Sequence, residues 1–242
     1  MEKKYKLTEE TINVCGRTLH RIEALINFDD VEKGDKGGFI EKEYNLSQKD
    51  NCWVYDNAKV YGNAEVHNNT VISGNAEVYG NARIFDNVKI FGDAEVYDNA
   101  VVYGNAEVYD NALVYANAIV CDDAIVYDNA VVYGNAIVSN NAKVSGNARI
   151  FDNVKVCGNA RIFDNVKVCG NAEVYDNAIV YGNAMVYGNA EIFDDAEVYG
   201  NTLVYDEAIV YEDANVCGNV EVCGNADVYG NVNVCGNVKI NQ

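Results

Sequence analysis

The sequence predicts an all-β parallel solenoid with a small N-terminal β cap, and three observations support this. Residues 54–239 form thirty-one uninterrupted six-residue repeats such as VYGNAE, and a fixed short period indicates a repeat architecture. The first position of every repeat is Val or Ile, and the fifth is Ala, Thr or Val. Gly or Asp, usually followed by Asn, separates these positions, and that pattern does not suit a 3.6-residue helical face.

The positions of the repeat have separate structural roles. The fifth position of one repeat and the first of the next, for example Ala100 and Val102, lie two residues apart and share a face of an extended segment. These side chains are predicted to point inward, so positions six and two point outward. Gly, Asp and Asn at positions three and four tolerate left-handed backbone and form turns. We therefore expect a corner every six residues and coils stacked about 4.8 Å apart.

The first fifty residues do not follow the period. They contain a hairpin signal at Cys15, Gly16 and Arg17. The sequence therefore divides into a β cap at residues 1–50 and a solenoid at residues 51–242. A cap over the first coil would protect its edge from pairing with another chain.

A Val or Ile, three variable residues and then a small residue resemble the hexapeptide repeat of left-handed parallel β-helix proteins. The resemblance implies a single-stranded left-handed helix of triangular section, with three repeats per coil and about ten coils. Residues eighteen apart would then stack. The segment GGFIEKEYNLSQKDNCWVYDNAKVYGNA at residues 37–64 is similar to the start of the YdcK-like hexapeptide-repeat proteins, a family associated with transferases but without a mechanism.

Composition limits the partners and the compartment. The net charge of -19 repels phosphate backbones and anionic lipid, so neither nucleic acid nor a membrane is expected as a direct partner. No run of eighteen apolar residues and no signal peptide is evident, which predicts a cytoplasmic protein. Cytoplasmic thiols usually stay reduced, so the eight cysteines are expected to be free, although eighteen-residue stacking brings Cys217 beside Cys235.

The sequence offers little for catalysis. Many hexapeptide-repeat proteins are acyltransferases, which typically use a histidine base and a loop that interrupts the coils. This chain has no such loop, and its histidines are His20 in the cap and His67 at an outward position without an evident orienting partner. Two histidines do not supply the three-histidine zinc site of the family's carbonic anhydrases. We therefore expect no catalytic, cofactor-binding or metal-binding residue, and a protein that is not an enzyme.

The outward positions predict contact surfaces. Position two carries sixteen Tyr and five Phe, which would form aromatic ladders on the surface. One stretch of position six is apolar where charge is usual, and such an area inside a polar rim suggests an interface. Together with the end of the last coil, it predicts contacts of a homo-oligomer, most simply a dimer. The predicted interface residues are Val101, Ile119, Ile137, Tyr103, Cys121, Ser139 and Val238.

These observations favour a non-catalytic scaffold or binding module that self-associates and presents its Tyr-rich ladders to a protein or a small ligand. Two alternatives remain open. One is an acyltransferase-like hexapeptide-repeat enzyme, and the other is an acidic rod that mimics DNA and inhibits a DNA-binding enzyme. The segment RIFDNVKVCGNA occurs at residues 149–160 and again at 161–172, so the solenoid has grown by duplication.

Overall fold

The computed structural model describes residues 3–242, which divide after Ala116 into two compact units. Each unit contains short parallel strands, which in the first unit follow an antiparallel hairpin. The elements that precede the first coil are β1 (Tyr5–Val14), β2 (Arg17–Ala24), β3 (Lys36–Ile40) and a 3-10 turn (Glu43–Asn45). β2 pairs antiparallel with both β1 and β3, and the hairpin turn lies at Cys15 (φ 49°) and Gly16 (φ 79°).

The remainder of the first unit consists of three parallel ladders. Its strands are β4 (Trp53–Val54), β5 (Lys59–Val60), β6 (Glu65–Val66), β7 (Val71–Ile72), β8 (Glu77–Val78), β9 (Arg83–Ile84), β10 (Lys89–Ile90), β11 (Glu95–Val96), β12 (Val101–Val102), β13 (Glu107–Val108) and β14 (Leu113–Val114). The ladders run β3-β5-β8-β11-β14, β4-β7-β10-β13 and β6-β9-β12. Every third strand of the repeats is therefore a neighbour, as in the pairing of Glu95 with Leu113.

The second unit repeats this arrangement. Its strands are β15 (Ile119–Val120), β16 (Ile125–Val126), β17 (Val131–Val132), β18 (Ile137–Val138), β19 (Lys143–Val144), β20 (Arg149–Ile150), β21 (Lys155–Val156), β22 (Arg161–Ile162), β23 (Lys167–Val168), β24 (Glu173–Val174), β25 (Ile179–Val180), β26 (Met185–Val186), β27 (Glu191–Ile192), β28 (Glu197–Val198), β29 (Leu203–Val204), β30 (Ile209–Val210), β31 (Asn215–Gly218), β32 (Glu221–Cys223), β33 (Asp227–Val228), β34 (Asn233–Gly236) and β35 (Lys239–Asn241). The ladders start at β15, β16 and β17 and advance three strands at a time. The predicted all-β parallel solenoid with eighteen-residue coils is confirmed, while its left-handed sense and the boundary at residue 50 stay predictions.

The core consists of the inward positions of the repeat. Every first-position Val or Ile from Val54 to Val228 is buried, and the fifth-position Ala residues are buried beside them. Val232 and Val238, at position five of the last repeats, remain 40% exposed. The predicted facing of the repeat positions is therefore confirmed through Val228.

The corners are held by side chains as well as by backbone geometry. Position three adopts the left-handed conformation, with φ of 68° at Asp86, and the Asp56 carboxylate accepts the Gly74 N–H one coil further on. At position four, Asn63 Nδ2 donates to Asn81 Oδ1 at 3.1 Å, and similar bonds recur at each corner. Because the Asn side chains satisfy one another's hydrogen bonds between coils, they stabilise the stacking of the coils at the corners.

One pair of cysteines departs from the expectation of free thiols. Cys217 in β31 and Cys235 in β34 are directly paired in the parallel ladder and form a disulfide, with their Cα atoms 4.6 Å apart. That separation lies within the usual range for a disulfide. The expectation was wrong at this pair because it rested on the compartment, whereas the register of the ladder brings the two sulfurs together. Within residues 3–242, Cys15, Cys52, Cys121, Cys157, Cys169 and Cys223 form no disulfide.

The aromatic residues at position two form stacked ladders. The Tyr61 and Tyr79 rings are 4.9 Å apart and nearly parallel, and Tyr181 and Tyr199 are 4.7 Å apart. Some phenols also donate to acidic side chains, as in the bonds from Tyr61 to Glu77 and from Tyr79 to Glu95, both at 2.9 Å. Apart from the exposed Tyr229, the Tyr and Phe rings at position two are half-buried or buried, so the ladders cover the outer surface of the sheets.

These phenol–carboxylate bonds predict a loss of stability in alkali. Burial, and then the bond to a carboxylate, raises the pKa of Tyr61 and of Tyr79 above the ordinary value. A raised folded pKa means that the stabilisation is complete below about pH 10, the unfolded value, and is lost as the pH rises further. In urea titrations, the free energy of unfolding should fall as the pH rises from about 10 to about 12. Glu77→Gln combined with Glu95→Gln should flatten this fall.

The matched control for this experiment is Glu207→Gln, at an exposed corner position. It changes the net charge in the same direction as each test substitution but leaves the phenol–carboxylate bonds in place. A pH dependence that is the same in the double variant and in the wild type would contradict the prediction.

Candidate active site

The imidazole of His67 has an acidic partner that sequence reasoning missed. His67 Nε2 lies 3.2 Å from Glu65 Oε2, and both side chains are partly exposed. Glu65 is at position six and His67 at position two, so both project outward from the same strand segment, two residues apart. A carboxylate only accepts hydrogen bonds, so in the neutral imidazole Nε2 carries the proton and Nδ1 keeps its lone pair.

Other polar and aromatic groups surround this pair. Arg83 in β9 is in register with Glu65 in β6, and the Arg83 guanidinium lies 6.0 Å from the Phe85 ring centroid. Phe85 occupies the position equivalent to His67 on the next coil. The backbone N–H of His67 donates to Ile84 O. Burial, followed by the charges of Glu41 and Glu65, raises the pKa of the Tyr44 phenol. A base, its orienting carboxylate, a cation and an aromatic ring are thus grouped beside the first coils.

His20 lies in a different setting. Its Nδ1 is 3.0 Å from Thr8 O, within the antiparallel pair β1–β2. A carbonyl only accepts, so this bond holds the ring within the hairpin and gives it no acidic partner. His20 is the better candidate for a structural role and serves as a control for His67.

Neither a metal centre nor a membrane span is evident in the part of the chain that the structure describes. Between residues 3 and 242, no three side chains of His, Cys, Asp or Glu are grouped so as to hold a metal ion. Over the same residues, no helix has the length and apolar character needed to cross a bilayer.

The predicted interface residues are placed as follows. Ile119 in β15 and Ile137 in β18 are directly paired and half-buried, and Lys155 is the next residue in that ladder. Cys121 is buried and Ser139 is half-buried.

The other three predicted interface residues lie elsewhere. Val101 and Tyr103 belong to the first unit, where Val101 pairs with Arg83, and Val238 is in the last repeat. The contact between copies stays a prediction.

A cavity along one corner of the second unit is acidic. Its volume is about 740 Å³, and Asp176, Asp194, Asp195, Glu212 and Asp213 contribute to its lining. Acidic residues replace Asn at two successive position-four sites, Asp195 and Asp213, which interrupts the amide ladder there. Its charge makes the corner unfavourable for anions.

Comparison with known proteins identifies the repeat. The family model described as the YdcK Beta solenoid repeat matches residues 106–122 and 172–188. These two segments resemble the YdcK β-solenoid repeat. The resemblance to YdcK-like hexapeptide-repeat proteins is thereby confirmed. A curated relative from Escherichia coli (strain K12), named "Uncharacterized acetyltransferase YdcK", is 38% identical over 69 residues, which are 25% of this chain and 21% of that protein. The match thus spans about a fifth of the length of that YdcK protein.

Among solved structures, an Arabidopsis UDP-N-acetylglucosamine acyltransferase matches with a TM-score of 0.44 and 16% sequence identity, covering 71% of each chain. The expectation that the chain is not an enzyme needs correction, because the YdcK relative is named an acetyltransferase. That expectation depended on the scarcity of histidine and on the uninterrupted coils. It did not take account of the acidic partner of His67.

Proposed function

We propose that the chain is an acyltransferase-like hexapeptide-repeat enzyme in which His67 is the general base. The observation that carries the proposal is the contact of 3.2 Å between His67 Nε2 and Glu65 Oε2. A base held by a carboxylate is the arrangement that acid–base catalysis requires, because it fixes both the tautomer and the direction of the ring. The name of the YdcK relative supports transfer of an acetyl group.

The chemistry would be a direct transfer from a thioester to an amine or a hydroxyl group. His67 Nδ1 removes a proton from the acceptor as the acceptor's nitrogen or oxygen bonds to the carbonyl carbon. The carbon–sulfur bond then breaks, and the imidazolium returns the proton to the departing thiolate. Glu65 accepts from Nε2 and so holds the ring in one orientation during the transfer.

The neighbouring groups suit an acyl donor. Arg83 is in register with Glu65, and its guanidinium offers fixed donors to an anionic portion of the donor. Phe85, one coil from His67, presents an aromatic surface against which an apolar segment can lie. Arg83 and Phe85 are thus binding residues in this proposal, and His67 is the residue that contacts the reacting atoms.

The test is acetyl-CoA turnover with a panel of amine and hydroxyl acceptors. His67→Asn should lower kcat by about 100-fold or more, the usual contribution of a positioned acid–base group. Glu65→Gln should lower kcat less, because the amide oxygen of Gln can still accept from Nε2 and orient the ring. The control is His20→Asn, which should leave kcat unchanged. Turnover that is independent of His67 would refute its role, and absence of turnover with every acceptor would refute the function.

A further inference from the structure

One aromatic ladder of the second unit is interrupted at Ser145. On the face that contains β16, β19 and β22, position two carries Tyr127, Ser145 and Phe163 on successive coils. Above this interruption the ladder continues, with Phe163 stacked on Tyr181 at 5.1 Å. The interruption is one residue deep, and the Ser145 side chain, 7% exposed, forms its floor.

The interruption has the dimensions of one missing ring. Tyr127 and Phe163 are two coils apart, so two strand spacings of roughly 4.8 Å separate their positions. A flat ring placed midway would lie about 4.8 Å from each neighbour, which is within the range of offset stacking. The structure has a cavity of about 250 Å³ there, lined by Tyr127, Ser145 and Phe163 among others. This cavity, which we call the Ser145 slot, is large enough for one heteroaromatic ring and too small for a polymer.

Two cations stand on one side of the Ser145 slot. Lys143 and Arg161 are directly paired in β19 and β22, and both line the cavity. Their neighbours in the ladder are Ile125 and Ile179, so the ladder supplies no opposite charge. Neither cation makes an ion pair within residues 3–242, and Arg161 lies over the Phe163 ring at 5.7 Å.

Two neighbouring cations that line one cavity favour an anion between them. Like charges directly opposite in a sheet repel each other, and a chain with 37 acidic residues has ample carboxylates to place beside them. A phosphate carries nearly two negative charges, so it balances both cations, whereas one carboxylate balances only one. Arg also presents a planar fork of donors that matches phosphate oxygens.

The opposite side of the slot is acidic. Asp128 and Asp164 line the cavity, and each accepts a backbone N–H from the next coil, at 3.1 Å and 3.0 Å. These bonds hold the carboxylates at the corner, where their remaining oxygen lone pairs can accept from N–H groups. The slot thus presents cations at one end, aromatic walls in the middle and acceptors at the other end.

We propose that the Ser145 slot binds a single nucleotide, in which a flat nitrogen-containing aromatic ring is linked through a sugar to a phosphate. The ring stacks between Tyr127 and Phe163, the phosphate contacts Lys143 and Arg161, and exocyclic N–H groups of the ring face Asp128 and Asp164. This inference does not depend on acyl transfer or on His67.

The test uses adenosine monophosphate as the probe, with calorimetric titration of the full chain at low salt. Ser145→Tyr fills the slot with the residue that most other positions of the ladders carry, so the variant should remain folded and should lose binding by at least tenfold. Replacing Lys143 and Arg161 together by Gln should lower the affinity for adenosine monophosphate by about tenfold or more, because hydrogen bonds to charged groups are lost. The same double variant should leave the binding of adenosine unchanged.

A matched control exists on the corresponding face of the first unit. Ser73 there also lies between two aromatic positions, Tyr55 and Phe91. The residues equivalent to Lys143 and Arg161 are Val71 and Lys89, and Lys89 forms an ion pair with Glu107. Ser73→Tyr should therefore leave binding unchanged. Lack of binding at millimolar adenosine monophosphate would overturn the proposal, and so would equal binding by wild type and Ser145→Tyr. Inorganic phosphate that binds as tightly as adenosine monophosphate would also overturn it, because the ring would then contribute nothing.

Discussion

Val132→Asp is expected to abolish cooperative folding of the second unit or to lower its free energy of unfolding by several kcal/mol. The Val132 side chain in β17 is fully buried, and its partner in β20, Ile150, is apolar and fully buried. A carboxylate there has neither water nor a cation, and burying an unpaired charge costs more than any single contact returns. Circular dichroism during urea titration, together with hydrogen exchange of residues 117–242, measures the loss.

The neighbouring residue supplies the matched control. Val131 is half-buried at the outward position six and is paired with Arg149 in β20. Val131→Asp therefore introduces the same carboxylate beside a cation and in contact with water, so the free energy of unfolding should change by less than about 0.5 kcal/mol. Equal losses in the two variants would show that the inward and outward positions are assigned incorrectly.

Gly38→Ala should detach β3 from the first coil. A Cβ atom at Gly38 would lie 2.5 Å from Ala58 O and 2.7 Å from Val54 Cγ1. Both belong to the coil against which β3 packs, and Phe39 N donates to Ala58 O. Backbone oxygen cannot rotate away, so β3 must move. Overpacking of this kind costs about 1–3 kcal/mol. The loss should appear as a lower urea midpoint and as faster proteolysis within residues 3–50.

The control for this substitution is Lys36→Ala, at an exposed position of the same strand. Its salt bridge with Glu10 is exposed, and such pairs contribute less than about 1 kcal/mol. Lys36→Ala should therefore resemble the wild type in both assays. If Gly38→Ala were as stable as Lys36→Ala, the close packing of β3 on the first coil would be refuted.

The solenoid was predictable because each position of the repeat has one physical role. In a chain that turns every six residues, a β-branched residue at position one can be buried only in the interior of the coil. Val102 is an example, and it is fully buried. Corner residues such as Asp86 adopt the left-handed backbone that their type permits. The hand of the helix was not available from the period alone, because either sense places residues eighteen apart in register.

The candidate site was less accessible to sequence reasoning, for identifiable reasons. Glu65 and His67 are two apart and both outward, so their proximity follows from the repeat, but the expectation considered His67 alone. The eighteen-residue spacing places Cys217 beside Cys235, but the expectation of free thiols followed from a reducing compartment and so missed their disulfide. The Ser145 slot required side-chain positions, because the loss of one ring does not reveal whether adjacent rings close over the space.

The duplicated segment shows how an eighteen-residue coil affects the evolution of a surface. RIFDNVKVCGNA recurs after twelve residues, which is two thirds of a coil. The two copies consequently lie on different faces: Arg149 is paired with Val131 and Lys167, whereas Arg161 is paired with Lys143 and Ile179. Identical sequence has acquired different neighbours, while Asn–Asn bonds between coils are kept at the corners of the duplicated segment. Insertion of whole repeats thus moves the following residues to other faces of the solenoid and keeps the hydrogen-bonded corners. Surface residues then gain new neighbours through a change of length, without any substitution.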